Sequence, residues 1–520
     1  MKDNIVKKSK DSSIADKFLN FIEKGGNKLP HPVTLFVIIA FLVVIFSAIL
    51  SAAGTSVELA RMDGATGTVD KVQVFANNLL SEEGVRFMFE GAVSNFTGFA
   101  PVGVVLVTML GIAVAEGTGL ITACLRKLMI NTPKNTVTIM AILMGAMSNI
   151  ASDSGYVVVV PLGALMFLSM GRNPIAGIAA AFFGVAGGFS ANLLIGSIDP
   201  LLAGFSTIGA RVLQNDYFVS PLANYYFMAA STLLITVLGI FVNNKIVEPR
   251  LGEYTGTESA SFEKLSEDEN RGLKYSLIAL IITVATIILL VAPKNGLLRN
   301  PVDGQIFGDS PFMNSIVIIV GLVFFLPGLF YGIGAKTIKN DKELVEIVSN
   351  IMGSMGGYLV LTFVASQFVA YFRYSNIGLI MAVNGAEMLK AINLSGVGLL
   401  IIFVFITAIM NLFIGSAVTK WSIMAPVFVP MFMMLGLSPE STQLAFRVGD
   451  SSTNIISPLM PFFAIVLNIA EKYDKKIGMG TLISVMMPYS FTLLIAWTIF
   501  MVVWLLLGIP MGPGVSLFLP

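Results

Sequence analysis

The sequence contains one cysteine, Cys124, and one histidine, His31, in 520 residues. A disulfide within the chain is excluded, and a cysteine-rich metal site, a histidine-bound zinc or a histidine-dependent triad has no partners to draw on. Charge is also scarce. Asp, Glu, Lys and Arg make up 12% of the chain, against roughly 25% in soluble domains. The formal net charge of +1 leaves no basic field to attract nucleic acid. No glycine-rich phosphate loop followed by Lys-Ser/Thr occurs, so ATP is not the energy source within this chain. The first thirty residues carry Lys2, Lys7, Lys8, Lys10, Lys17, Lys24 and Lys28 without an early apolar run, which is not the pattern of a cleaved signal peptide.

What the chain has instead is apolar sequence. It is 55% hydrophobic, with a mean hydropathy of +0.84, and the reading is an all-α polytopic membrane protein. Lysine and arginine set its orientation. The lysine-rich segment 1–30 is expected on the cytoplasmic side, followed by a span from Val33 to Ala53. A base-poor polar segment, 54–96, lies outside, and a second span, about Phe99 to Val114, returns to Arg126, Lys127 and Lys134. A first transmembrane half, 31–243, is joined by a cytoplasmic linker, 244–274, to a second half, 275–520. Spans are expected at about 222–243, 275–292, 312–331, 355–372 and 481–507, placing the C-terminus outside and the whole chain in the inner (cytoplasmic) cell membrane.

Four apolar stretches are interrupted. From about 136 to 170, Met147-Ser148-Asn149-Ile150-Ala151-Ser152-Asp153-Ser154-Gly155 leaves two arms too short for the roughly 20 residues of a crossing. Both flanks are basic, so a helical hairpin entering from the inside fits better than a span. About 397–437 is interrupted in the same way at Asn411 to Trp421 and is expected to enter from the outside. Between and after these lie two broken helices, about 174–204, interrupted at Ser190 to Pro200, and about 442–469. Each half therefore holds a span, a polar-tipped hairpin, a broken span and a further span, in opposite orientations. Inverted repeats with paired discontinuous helices are the pattern of secondary transporters, and the breaks mark the substrate site.

The last broken helix contains Phe446-Arg447-Val448-Gly449-Asp450-Ser451-Ser452-Thr453-Asn454-Ile455-Ile456-Ser457-Pro458. A central Arg or Asp in a membrane helix costs roughly 2.5–3.5 kcal/mol, so both belong in the protein interior or a wet cavity. Spaced i, i+3, Arg447 and Asp450 can pair with each other; the alternative is a helix that ends at the surface. Arg447 can also grip a carboxylate through its planar fork. Trp421 can cover an aromatic ring or simply pack. Asp199 and Asp450 suit a proton or a sodium ion. Ser148, Asn149, Asn192, Thr453 and Asn454 are neutral oxygen donors near breaks, suited to sodium and equally to helix capping. Asp153 and Lys420 add charge at the hairpin tips. An ion-coupled transporter leads these readings; an anion channel or substrate-gated pore is the alternative, and a membrane-embedded hydrolase is weakest because Cys124 has no histidine partner.

These interruptions, with Leu29-Pro30-His31-Pro32-Val33-Thr34-Leu35, Asn95-Phe96-Thr97-Gly98-Phe99-Ala100-Pro101, Gly196-Ser197-Ile198-Asp199-Pro200-Leu201-Leu202-Ala203-Gly204 and Gly508-Ile509-Pro510-Met511-Gly512-Pro513-Gly514, resemble the AbgT family of p-aminobenzoyl-glutamate transporters, whose members include proteins linked to efflux of sulfonamides and p-aminobenzoate. The resemblance implies a homodimer with nine spans and two hairpins per subunit, and a mobile transport unit that moves against a dimerising scaffold. It places the substrate-binding positions at Asp199, Ser416, Trp421, Arg447, Asp450 and Pro458, with aromatic carboxylates as substrates and Na+ or H+ as coupling ion.

Overall fold

A computed structural model describes residues 32–62, 69–130, 133, 136–151, 154–256, 264–306, 310–391, 396–460 and 462–519. The expected cytoplasmic segment 1–30, Ser152 and Asp153 at the first hairpin tip, and part of the linker lie outside the described residues.

Helices dominate. In chain order the principal ones are α1 (Pro32–Ala52), α2 (Ala100–Gly117), α3 (Leu120–Ile130), α4 (Val137–Ser148), α5 (Ser154–Ser169), α6 (Pro174–Phe182), α7 (Ile198–Ala210), α8 (Tyr225–Val242), α9 (Glu267–Val291), α10 (Ile316–Ala335), α11 (Asp341–Ser354), α12 (Gly356–Tyr374), α13 (Ile377–Ala391), α14 (Gly396–Phe413), α15 (Ala417–Met433), α16 (Pro439–Asn454), α17 (Phe463–Glu471) and α18 (Met479–Leu506). Among the described residues, six helices are long and apolar enough to cross a bilayer, and α2–α3 and α11–α12 are pairs bent by 57° and 46°. Their outer faces carry exposed apolar side chains such as Phe41, Leu233, Ile281 and Ile499. Apolar surface on that scale suits lipid rather than water.

Local chemistry explains the boundaries. Ser266 and Glu269 form a capping box at the start of α9, satisfying amides that the first turn leaves open. Because of that cap, α9 begins inside the expected linker, at Glu267. Pro174 and Pro439 open α6 and α16, each behind a residue whose side chain accepts a main-chain N–H, Asn173 and Ser438. Proline is tolerated there because the first-turn amide has no helical acceptor.

Two features were not expected. The segment 54–96 contains an antiparallel hairpin, Ser56–Met62 with Val69–Phe75, in register from Ser56↔Phe75 to Met62↔Val69. Period-two alternation in Val57, Leu59, Val72 and Val74 is its signal, obscured by the surrounding charge. Helix α13 follows the bent α11–α12 pair and packs on α15.

The two interrupted apolar stretches each form a pair of helices joined by a short polar tip, α4–α5 and α14–α15. The pairs differ. α4 has 12 residues and α5 has 16, whereas α14, with 18, is long enough to cross by itself. At the base of the first pair, Arg172 donates from Nε to Glu248 Oε1 (2.7 Å) and from Nη1 to Thr138 Oγ1 (2.9 Å), and its guanidinium lies 4.1 Å from the Phe167 ring centre. One side chain thus ties both arms and the segment following α8 together.

Contacts divide the helices into two groups. One comprises α2, α9 and α10, with α11 on α2 and α1 on α12. The other comprises α4, α5 and α6, together with α7, α14, α15 and α16, with α8 and α18 against them. α7 lies on both α2 and α15, and so touches both groups.

Candidate functional site

The four interruptions meet. Asn149 and Tyr156 from the first pair, Phe189, Ser197, Ile198 and Leu201 from the first broken helix, Gly415 to Val418 from the second pair, and Asn454, Met460 and Phe462 from the second broken helix line one cavity of about 310 Å³. That is the lower end of the roughly 300–1,000 Å³ of small-molecule sites.

Close backbone approach builds this arrangement in both halves. A Cβ on Gly196 would lie 2.9 Å from the Asn149 carbonyl oxygen, and one on Gly415 would lie 2.4 Å from that of Leu459. Each hairpin tip therefore touches a break at a glycine, where no side chain holds the chains apart.

Every residue of α16 from Pro439 to Asn454 is buried, which excludes the surface-ending alternative. Arg447 and Asp450 are each 1% exposed. They do not pair with each other. Arg447 Nη2 lies 2.8 Å from Asp199 Oδ1, and Asp450 Oδ1 lies 2.5 Å from Lys420 Nζ. Asp199 is in the first turn of α7, where its Oδ2 accepts the Gly196 amide at 2.7 Å; a carboxylate is favoured at such a terminus. The i, i+3 spacing brings Arg447 and Asp450 to one face, but each finds a partner on a neighbouring helix. Four charges thereby form two neutral pairs, one joining the two broken helices and the other joining a broken helix to a hairpin. Buried ions need such partners, since desolvation costs several kcal/mol per ion.

The Arg447 pair leaves donors over. Its Nε and Nη1 are buried without a hydrogen-bond partner among the described residues, as is Asp450 Oδ2. Unmet charged groups of this kind are costly in a closed interior, and proteins satisfy them with ordered water, an ion or a ligand. Arg447 stands about two helical turns from Asn454, which lines the cavity.

Trp421 is fully buried and does not line the cavity. Its Nε1 lies 3.1 Å from the Leu202 carbonyl and 3.0 Å from Ser206 Oγ, and its ring packs 4.6 Å from that of Phe446. Ser206 donates to Gln443 Oε1 (2.6 Å), and Gln443 Nε2 donates to Asn224 Oδ1 (2.9 Å). Three aromatic side chains line the cavity, Phe189, Tyr156 and Phe462, and the last two are stacked with centres 4.7 Å apart and planes within 4°. The sequence offered no signal for that pair, because Tyr156 and Phe462 come from opposite halves.

Ser416 lines the cavity and caps α15, accepting the Thr419 amide at 3.3 Å. Pro458 lies in the break after α16, half-buried, and does not line the cavity. The neutral oxygens form two separate clusters. Asn149 Nδ2 donates to the carbonyls of Ala146 (3.1 Å) and Val185 (2.9 Å), and Asn192 Nδ2 donates to Ala146 at 3.2 Å. The Ser148 hydroxyl donates to the Gly145 carbonyl at 2.6 Å. In the second half, Asn411 Nδ2 is 2.7 Å from the Asp450 carbonyl, 2.9 Å from Thr453 Oγ1 and 2.9 Å from Asn454 Oδ1. Asn411 was missed as a site residue. Its position, an asparagine at the end of the first arm just as Asn149 is, was the available signal. No group of three or more His, Cys, Asp or Glu residues suited to a metal occurs among the described residues.

A helical chain whose hairpin tips and helix breaks converge on a buried, charged site inside an apolar body defines a multi-pass membrane transporter. Known proteins narrow the class. The sequence profile described as the AbgT putative transporter family matches residues 17–519, and the chain belongs to that family. It is 37% identical over 504 residues to the p-aminobenzoyl-glutamate transport protein of Escherichia coli (strain K12), covering 97% of each chain. Among solved structures, the YdaH transporter of Alcanivorax borkumensis is similar with a TM-score of 0.87 and 44% identity, over 93% of this chain and all of that one (100%). MtrF of Neisseria gonorrhoeae, described with a class of antimetabolite efflux pumps, is similar with a TM-score of 0.90 and 45% identity, over 96% of this chain and 100% of that one. These relatives are transporters, not enzymes.

Proposed function

We propose that the chain is an ion-coupled secondary transporter of p-aminobenzoyl-glutamate or related aromatic carboxylates, p-aminobenzoate and sulfonamides among them. The observation that carries this reading is the Arg447 guanidinium, buried against Asp199 at the first break, with Nε and Nη1 lacking acceptors among the described residues. A planar fork with open donors suits a carboxylate. The Tyr156–Phe462 stack on the cavity wall supplies an apolar face for an aromatic ring, the role that the sequence had suggested for Trp421.

In this reading, α4–α8 with α14–α18 form the moving unit, and the remaining long helices form a scaffold at which two copies meet, with nine spans and two re-entrant hairpins in each. Access alternates by an elevator-like displacement. Na+ or H+ is the coupling ion; the Asn149 cluster offers neutral oxygens for sodium, and the buried carboxylates offer a proton site. The N-terminus is cytoplasmic and the C-terminus outside. Solute counterflow tests the substrate and the ion together. Proteoliposomes preloaded with p-aminobenzoyl-glutamate should accumulate labelled p-aminobenzoyl-glutamate and p-aminobenzoate transiently, with sodium or a proton gradient altering net uptake. Conductance without counterflow would instead identify an anion pore.

A further inference from the structure

We infer that Lys420 is a tethered cation: its ammonium fills the oxygen cluster at the second hairpin tip, so that this half of the molecule needs no free metal ion there. The two halves provide the comparison. Asn149 and Asn411 end the first arms of their hairpins, and each directs its Nδ2 to the helix that precedes the break of its own half, at Val185 and at Asp450 to Asn454. Their Oδ1 atoms differ in fate. Asn149 Oδ1 is buried without a hydrogen-bond partner among the described residues, whereas Asn411 Oδ1 accepts from Lys420 Nζ.

The charge pattern differs in the same sense. In the first half the carboxylate near the break, Asp199, is matched by Arg447 from the other half. In the second, Asp450 and Lys420 neutralise each other within one cluster, both 1% exposed. Lys420 thus meets one carboxylate oxygen and one amide oxygen, and the Thr453 and Asn454 oxygens are joined to the same amide. Without the ammonium, Asp450 Oδ1 and Asn411 Oδ1 would face each other as one charged and one neutral oxygen, the kind of donor that a hard cation takes. With it, a second cation would meet a positive charge at contact distance in a low-dielectric interior, where repulsion is strong. A lysine stem reaching into the cluster is therefore a built-in occupant, and it travels with α15.

The inference is independent of which substrate is carried. It is tested on the full-length protein in detergent, by melting temperature in sodium chloride and in choline chloride at equal ionic strength. Lys420→Gln is purified in sodium throughout and then exchanged. It should gain a sodium-dependent increase in melting temperature at least twice that of the parent. Lys420→Arg, which keeps a tethered charge, should keep the parental response, and the Lys420→Gln/Asp450→Asn double variant should lose the gain. A Lys420→Gln variant that unfolds only on transfer to choline supports the inference. It is overturned if Lys420→Gln responds to sodium as the parent does, if it is equally unstable in both salts, or if the gain also appears in Lys420→Arg.

Discussion

Arg447 Nη2 and Asp199 Oδ1, 2.8 Å apart, join the two broken helices across the centre of the molecule. The pair links the first turn of α7 to the middle of α16, segments separated by some 250 residues of chain. A contact of this kind reports on the relative position of the two halves, because neither charge has another ionic partner within reach among the described residues.

Neutralising one member should therefore strand the other. Arg447→Gln and Asp199→Asn are each expected to cost about 3–5 kcal/mol of stability, and the double variant should recover most of it. Transport should not recover, since the double variant has no fork for a carboxylate. Melting temperature and uptake measured on the same preparations separate the two effects. Pairing Arg447→Gln with Asp450→Asn should give far less recovery, because these residues do not neutralise each other. A double Arg447/Asp199 variant transporting at parental rate would remove Arg447 from the cycle.

Trp421 and Tyr156 should behave differently. Trp421→Ala opens a cavity between α15, α7 and α16 and should destabilise by about 3–5 kcal/mol. Trp421→Phe retains most of the packing and loses the bonds to Leu202 and Ser206, about 0.5–1.5 kcal/mol, with substrate affinity unchanged. Tyr156→Leu removes a ring from the cavity wall and should weaken binding of an aromatic substrate up to about tenfold, the equivalent of roughly 0.5–1.5 kcal/mol. Binding titrations on the three variants would settle which ring the substrate meets; a larger affinity loss in Trp421→Phe than in Tyr156→Leu would reverse the assignment.

The glycine contacts predict a steric effect. Gly415→Ala places a methyl 2.4 Å from the Leu459 carbonyl oxygen, and Gly196→Ala places one 2.9 Å from that of Asn149. Overpacking of this kind costs about 1–3 kcal/mol. Both variants should lower the transport rate, Gly415→Ala more, while a control such as Gly353→Ala, where the added Cβ meets nothing within 4 Å, should not.

Orientation is open to labelling. In a Cys124→Ser background, a cysteine at the exposed position of Glu83 should react with an impermeant thiol reagent added outside intact cells, and one at the exposed position of Glu253 should not. Equal reaction at both would invert or abolish the proposed topology.

How much of this was legible in the sequence depends on the kind of interaction. Long apolar runs announce α1, α9, α10 and α18 because burial in lipid constrains every residue of a span. The hairpin tips and breaks were visible as polar residues where polarity is costly, and Arg447, Asp450 and Asn149 were singled out on that ground, whereas Ser416 came from the family resemblance. Pairing was not visible. The i, i+3 spacing of Arg447 and Asp450 is a local relation, and the partners that prevailed, Asp199 and Lys420, depend on which helices are adjacent. Trp421 shows the same limit: a tryptophan beside a polar tip reads alike whether its ring faces a cavity or, as here, a packed interior. Helix α13 and the β-hairpin were hidden by short length and mixed composition.

The clasp formed by Arg172 with Glu248 and Thr138 makes the first hairpin resemble a tuning fork held at its handle. Its two arms share one base, and at the other end Asn149 meets Gly196. The grip also includes the chain just beyond α8, through Glu248, so under the proposed displacement that segment is expected to move with the hairpin. Under the same proposal the fork and its handle form one piece, and the joint that lets the hairpin shift lies outside it.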